Sequence, residues 1–265
     1  MPIANRLVAT KLARIARHGL VDVATSSKAL EMSNKETVAK LGALARRGWL
    51  LRVRRGLYFV LPLEAEPGKP TTIDDPWLLA REAFSPCYIG GWSAAEYWGL
   101  TEQLFRSTLV ITAANIRSRS THLLGHEFRL FSVPKKRISG ATSVWRGSER
   151  VLVSDRERTI IDCLRNPELC GGIRHTAQVM REYGSSKEHN LRKLIEVARA
   201  NANGAAWKRL GYIAEVLWPS EHALIDESLK HLSAGYVKLD PTVRKNGKIL
   251  RRWRLRVNVT LSDEF

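Results

Sequence analysis

The sequence predicts an α+β protein, with an N-terminal winged helix-turn-helix followed by a mixed α/β and helical region. Three observations predict it. Residues 4–47 carry apolar side chains at helical spacing in successive stretches, and a basic hairpin follows directly. Residues 64–76, EAEPGKPTTIDDP, hold three prolines, a glycine and four acids with almost nothing to bury, which suits a linker. Beyond it, short strand-like runs alternate with capped helices before a helical series closes on terminal strands. The expected units are therefore a DNA-binding module at 1–63, a linker at 64–76 and a second domain at 77–265.

The N-terminal elements follow in order. Residues 4–18 predict a helix, with Val8, Leu12 and Ile15 on one face and Gly19 as its terminator. Ser26 and Ser27 open a short apolar segment from Lys28 to Met32. Ser33 and Glu36 then form the capping box S-x-x-E, in which each side chain satisfies a backbone donor of the other residue. From there Val38, Leu41 and Ala45 line the inner helix face, flanked by Leu44, and Gly48 ends the helix. Short helix, tight turn and capped helix form the helix-turn-helix pattern. Trp49–Val53 and Leu57–Leu61 predict two strands around Arg54-Arg55-Gly56, a wing with basic residues at its tip.

Groove chemistry assigns roles to these residues. The DNA-facing set is Ser33, Asn34, Lys35, Thr37, Lys40, Arg47, Arg52, Arg54 and Arg55. Asn34 and Lys35, in the first turn of the second helix of the pair, have the donors to read adenine or guanine, and Thr37 a methyl for thymine. Lys40 and Arg47 suit phosphates, and the wing arginines suit backbone or minor groove. A solvated basic face used for protein contact is the alternative.

In the second region, Asp75-Pro76 predicts the start of a helix to Phe84, with proline at its first position. Strands are expected at Tyr88-Ile89, Thr108–Thr112, Glu127–Val133 and Arg150–Val153. Two further capping boxes, Ser93–Glu96 and Ser154–Glu157, are expected to open helices. Helices at 174–183, 187–202, 205–217 and 221–232 complete the helical part. Tyr236–Leu239, a turn at Asn246-Gly247 and a strand from Ile249 to Val259 close the chain. Along LRRWRLRVNV, Arg252, Arg254 and Arg256 alternate with apolar residues. A continuous strand would set them in a row about 7 Å apart, either as a solvated outer face or as a second polyanion-binding stripe.

The net charge is +17, with a sequence pI near 10.2, so polyanions are the first partners to consider. Residues 1–63 carry 12 basic and 3 acidic side chains, against 30 and 19 over 77–265. Charge is thus roughly two- to threefold denser in the N-terminal module. Three cysteines do not make a disulfide framework, and no stretch reads as a signal peptide or membrane span, which predicts a soluble cytoplasmic protein. Asp155, Glu157 and Asp162 suggest a metal-dependent nuclease, but capping and an Arg158–Asp162 pair account for them more simply. Cys163, Cys170 and His175 match no common zinc spacing. No catalytic residue, metal or cofactor is expected.

Several segments resemble the AbiEi-type antitoxins, regulators found in bacterial abortive-infection and related toxin–antitoxin operons. They are RRGLYFV, YIGGWSAAEYWGLTEQ at 88–103, SDRERTIIDCL at 154–164, KRLGYIAEVL at 208–217, and YVKLDP with RWRLRVNV near the end. The resemblance implies a cytoplasmic repressor that binds double-stranded operator DNA, with inverted repeats as the expected arrangement. It also implies a C-terminal antitoxin domain opposing a nucleotidyltransferase-like toxin in a type IV pair serving antiviral defence, without need of a stable complex. A stand-alone regulator with no toxin is the alternative within the same class.

Overall fold

In a computed structural model, residues 2–61 and 74–261 are described, and they form ten α-helices and three β-sheets. The mixed α/β character expected from the sequence holds. Residues 64–73 of the expected linker lie outside the described residues, while Asp75 and Pro76 open a helix. No helix among the described residues is long and apolar enough to cross a membrane.

The N-terminal part runs α1 (Pro2–Ile15), β1 (Leu20–Asp22), α2 (Val23–Leu30), α3 (Asn34–Arg46), β2 (Leu50–Arg54) and β3 (Leu57–Val60). Two features depart from expectation. A strand, β1, precedes the second helix and pairs antiparallel with β3, which makes the hairpin a three-stranded sheet in the order β1-β3-β2. And α2 starts at Val23 rather than near Ser26, because Asp22 caps it by accepting from the Thr25 amide at 2.7 Å. Three residues are too short to show a period, so β1 left no alternation in the sequence. Its turn is set by Gly19, at φ +74°, where a Cβ would strike the Phe59 ring.

Strand alternation explains how the sheet is buried on both sides. Tyr58 and Val60 join Leu12, Val21, Leu41, Leu44 and Leu50 in a core under the three helices. Leu57 and Phe59, with Leu20, point the other way into a second cluster, shared with Trp77, Leu79 and Phe84 of α4 (Pro76–Phe84). The unbroken apolar run LYFV is the mark of a strand covered on both faces.

The central sheet has six strands: β4 (Cys87–Ile89), β5 (Ser107–Thr112), β6 (Ser120–Leu123), β7 (His126–Ser132), β8 (Thr142–Arg146) and β9 (Glu149–Val153), in the order β6-β7-β5-β4-β9-β8. Ile89, Val110, Phe128 and Val153 face α4, whereas Tyr88, Leu109 and Ile111 face the helical core on the other side. Between β4 and β5, α5 (Gly91–Tyr97) has Gly90 as its N-cap and does not start at the expected box. Ser93 is buried inside it, and its hydroxyl accepts from the Leu109 amide at 2.9 Å instead.

The helical part comprises α6 (Arg156–Arg165), α7 (Ile173–Ser185), α8 (Leu191–Asn201), α9 (Gly204–Leu217) and α10 (His222–Lys230). The cap of α6 is Asp155, one residue after the expected Ser154, accepting from the Arg158 amide at 2.8 Å. Ser154 hydrogen-bonds Thr159, and Glu157 turns away to Tyr183. A small sheet of β10 (Val237–Lys238), β11 (Lys248–Leu250) and β12 (Leu255–Val257) closes the chain. Arg209 of α9 ties it in: the buried guanidinium donates to Leu239 O at 2.9 Å and to Leu164 O at the end of α6 at 2.8 Å.

Candidate nucleic-acid interface

The start of α3 is built by its cap. The Ser33 hydroxyl accepts from the Glu36 amide at 3.3 Å, and the Glu36 carboxylate accepts from the Ser33 amide at 3.0 Å and its hydroxyl at 2.6 Å. These bonds, the side-chain one first, hold the Glu36 carboxyl below its ordinary value of 4.5. The first turn is thereby fixed with Ser33, Asn34 and Lys35 exposed on it. Lys40 is half-buried and Arg47 exposed at the far end.

Thr37 corrects the expectation. It is fully buried and, with Leu41 and Leu44, forms the inner face of α3, so it cannot meet a thymine methyl. Its hydroxyl finds no hydrogen-bond partner among the described residues. Val38, expected inside, is 48% exposed instead. Both changes come from one helix rotated by about 70° relative to the predicted face, with Leu41 common to both. The signal lay in Thr37, Leu41 and Leu44, an i, i+4, i+7 set masked by the more apolar Val38. The outward ridge is consequently Lys35, Val38, Ala39, Gly42 and Arg46. It is short in the middle: a Cβ at Gly42 would touch only the flexible Arg46 guanidinium, at 3.7 Å. On this ridge Val38, and not Thr37, exposes its methyl groups.

Arg52, Arg54 and Arg55 are all exposed on the hairpin. Arg54 pairs with Leu57 beyond a bulge at Val53, and Gly56 at φ +79° makes the tip. The hairpin is less free than its sequence suggests. Its second strand is buried on both faces, and Arg54 Nη2 approaches Glu82 O, near the end of α4, at 3.5 Å. The three arginines therefore present charge from a fixed wall beside α3.

The terminal arginine row does not form. Arg251–Arg254 is a turn with Arg254 at φ +49°, so the expected strand Ile249–Val259 is broken into β11 and β12. Trp253 causes the break by turning its ring fully inward over Gly211, where any Cβ would collide, with its indole N–H on Glu215 at 2.6 Å. Arg252 pairs with Glu215 at 2.7 Å, Arg254 donates to Ser233 O at 3.1 Å, and Arg256 is half-buried in β12. They share neither a face nor a strand.

The acids near 155–162 are all engaged by neighbouring side chains, and two of them share Lys193. Asp155 caps α6 and pairs with Lys193 at 3.0 Å. Glu157, buried, receives the Tyr183 hydroxyl at 2.9 Å and Lys193 at 2.6 Å. Asp162, buried, receives Arg137 at 2.6 Å, Arg158 at 3.0 Å and the Tyr88 hydroxyl at 2.7 Å. Among the described residues no group of three His, Cys, Asp or Glu side chains is placed to hold a metal. Cys163 and Cys170 are fully buried, and His175 Nδ1 lies 2.7 Å from Cys170 O.

No family model and no curated protein matches the chain. Among solved structures, the chain is similar to the crystal structure of the RV2827C protein from Mycobacterium tuberculosis. The TM-score is 0.59 at 16% sequence identity, over 94% of this chain and 89% of that one. At that identity the likeness is one of fold.

Proposed function

We propose that the chain is a DNA-binding transcriptional regulator in which α1–α3 and the β2–β3 hairpin act as a winged helix-turn-helix, and that it is an antitoxin of the AbiEi type. The observation that carries the DNA reading is the exposed, doubly capped first turn of α3, with Asn34 and Lys35 beside the outward arginines of the hairpin. In this reading Lys35, Asn34 and Val38 meet base edges, while Lys40, Arg47, Arg52, Arg54 and Arg55 meet phosphates. The antitoxin part rests on the sequence resemblance.

Binding titrations on operator and scrambled duplexes at several salt concentrations test it. A base contact differs between sequences, and a phosphate contact is nearly the same on all. Lys35→Ala is expected to cost about 1–3 kcal/mol on operator and much less on scrambled DNA. Arg54→Ala with Arg55→Ala is expected to weaken both and to lower the salt slope by about 2. Equal loss on both duplexes for Lys35→Ala would make α3 a phosphate clamp and not the reader. Co-expression with the product of the neighbouring gene tests the antitoxin part, with relief of growth arrest as the expected result.

A further inference from the structure

We infer that the second region holds a binding site for a small phosphate ester, in a pocket of about 750 Å³ between the turn after β7, α6 and α8. The charges that line it are Lys136, Arg137, Arg158 and Arg165 against Asp155 and Glu196. Asp155 offsets less than this count suggests. Asp155 is occupied by the α6 cap and by Lys193, which it shares with Glu157. Behind the wall, Asp162 is the one carboxylate paired with both Arg137 and Arg158. Among the described residues Arg165 pairs with backbone and no carboxylate, donating from Nη1 to Asn201 O at 3.0 Å.

Arg165 feels the other two guanidiniums. Burial, and then the charges of Arg137 and Arg158, pull Arg165 below its ordinary range. Arg158 is held in place from behind: Nε binds Asp162 and Nη2 binds Arg137 O at 2.9 Å. Its Nη1 lies beside Gly140, where a Cβ would stand 3.8 Å away. Preordered guanidinium forks with spare donors in a concave site match the geometry of a phosphate group, and a bound anion would relieve the repulsion on Arg165. Val197, Ala200 and Ala202 add an apolar wall for the organic part of the ester. The volume is that of a small-molecule site.

Calorimetric titration of the full chain at low ionic strength tests the site with AMP, ribose 5-phosphate and inorganic phosphate, with adenosine as the uncharged control. Saturable 1:1 binding of the two esters is expected, weaker binding of phosphate, and none of adenosine. Arg165→Gln, which removes no ion pair, is expected to lower AMP affinity roughly tenfold to a hundredfold. Lys136→Ala, on a half-open turn, is expected to lower it less, with unchanged Tm. Lys35→Ala is expected to leave it alone, which separates this site from the DNA-binding reading. Absence of saturable binding by any phosphate probe would overturn the inference. So would AMP binding unchanged in both pocket variants, or equal binding of adenosine. A loss of duplex affinity in Arg165→Gln with no ester bound would reassign the pocket to nucleic acid and overturn it as well.

Discussion

At the scale of single residues, the interface turns on Thr37 and Val38, adjacent positions whose polarity and burial run opposite to each other. Hydropathy ranks Val38 as the inner residue, yet Thr37 is fully buried and Val38 is 48% exposed. A threonine is nearly the shape of a valine, so the hydroxyl fits the inner face while losing its bonds to water. The desolvated group costs about 1–3 kcal/mol when left unpaired, and replacing it by a methyl removes that cost. Thr37→Val is therefore expected to stabilise the protein by up to about 1 kcal/mol in chemical denaturation and to leave operator affinity unchanged. A loss of affinity in that variant would return Thr37 to the DNA-facing set. Of the remaining DNA-facing set, Lys40 is half-buried, and Ser33, Asn34, Lys35, Arg47, Arg52, Arg54 and Arg55 are exposed where the sequence set them. Charge at a helix start or hairpin tip has few other places to go.

At the scale of elements, legibility followed length and local chemistry. The capping box at Ser33 formed because both partners sit within one turn and need nothing from the rest of the chain. Ser33→Ala is expected to cost about 1 kcal/mol, read from the midpoint of urea unfolding. The boxes at Ser93 and Ser154 failed because more distant groups took those hydroxyls, the Leu109 amide and Thr159. Similarly, the terminal strand was broken by Trp253, whose place over Gly211 depends on a helix some forty residues earlier and leaves no local mark. Long periodic helices such as α7 and α9 were readable to within a few residues. Between α8 and α10, Glu227 receives Arg199 at 2.7 Å, His231 at 3.1 Å and Lys230 at 3.4 Å. Led by the Arg199 bond, these hold its carboxyl down at about 2, against an ordinary value of 4.5. A lowered carboxyl adds stability above its unfolded pKa, and that contribution disappears as pH falls through the folded one. The stability gap between the wild type and Glu227→Gln is thus expected to be widest above pH 4.5 and to close by about pH 2, as measured by denaturation at stepped pH. A gap that stayed constant on acidification would contradict the assignment.

At the scale of the whole molecule, the sequence expressed a boundary in charge and composition, and the structure places a contact across it. The acids and prolines of 64–76 mark a change of unit. They do not reveal that Leu20, Leu57 and Phe59 share one buried cluster with Trp77, Leu79 and Phe84, since such pairing joins distant stretches and leaves no period in either. Polar contacts add to it: Arg54 Nη2 lies 3.5 Å from Glu82 O, and His18 Nε2 lies 4.0 Å from the Glu149 carboxylate. A protease is expected to cut within the linker expected at 64–76, on composition, yet the cut should not by itself free the halves. What changes is the order of the reaction. An intact chain keeps the two halves at an effective concentration set by a dozen residues, about millimolar, whereas after cleavage they meet only at their bulk concentration. The nicked protein is therefore expected to migrate as one species in concentrated gel filtration and to separate on dilution, with a Tm that rises with concentration where the intact chain's does not. Halves that part at once at high concentration would show the apolar seam too weak to hold without its covalent tether.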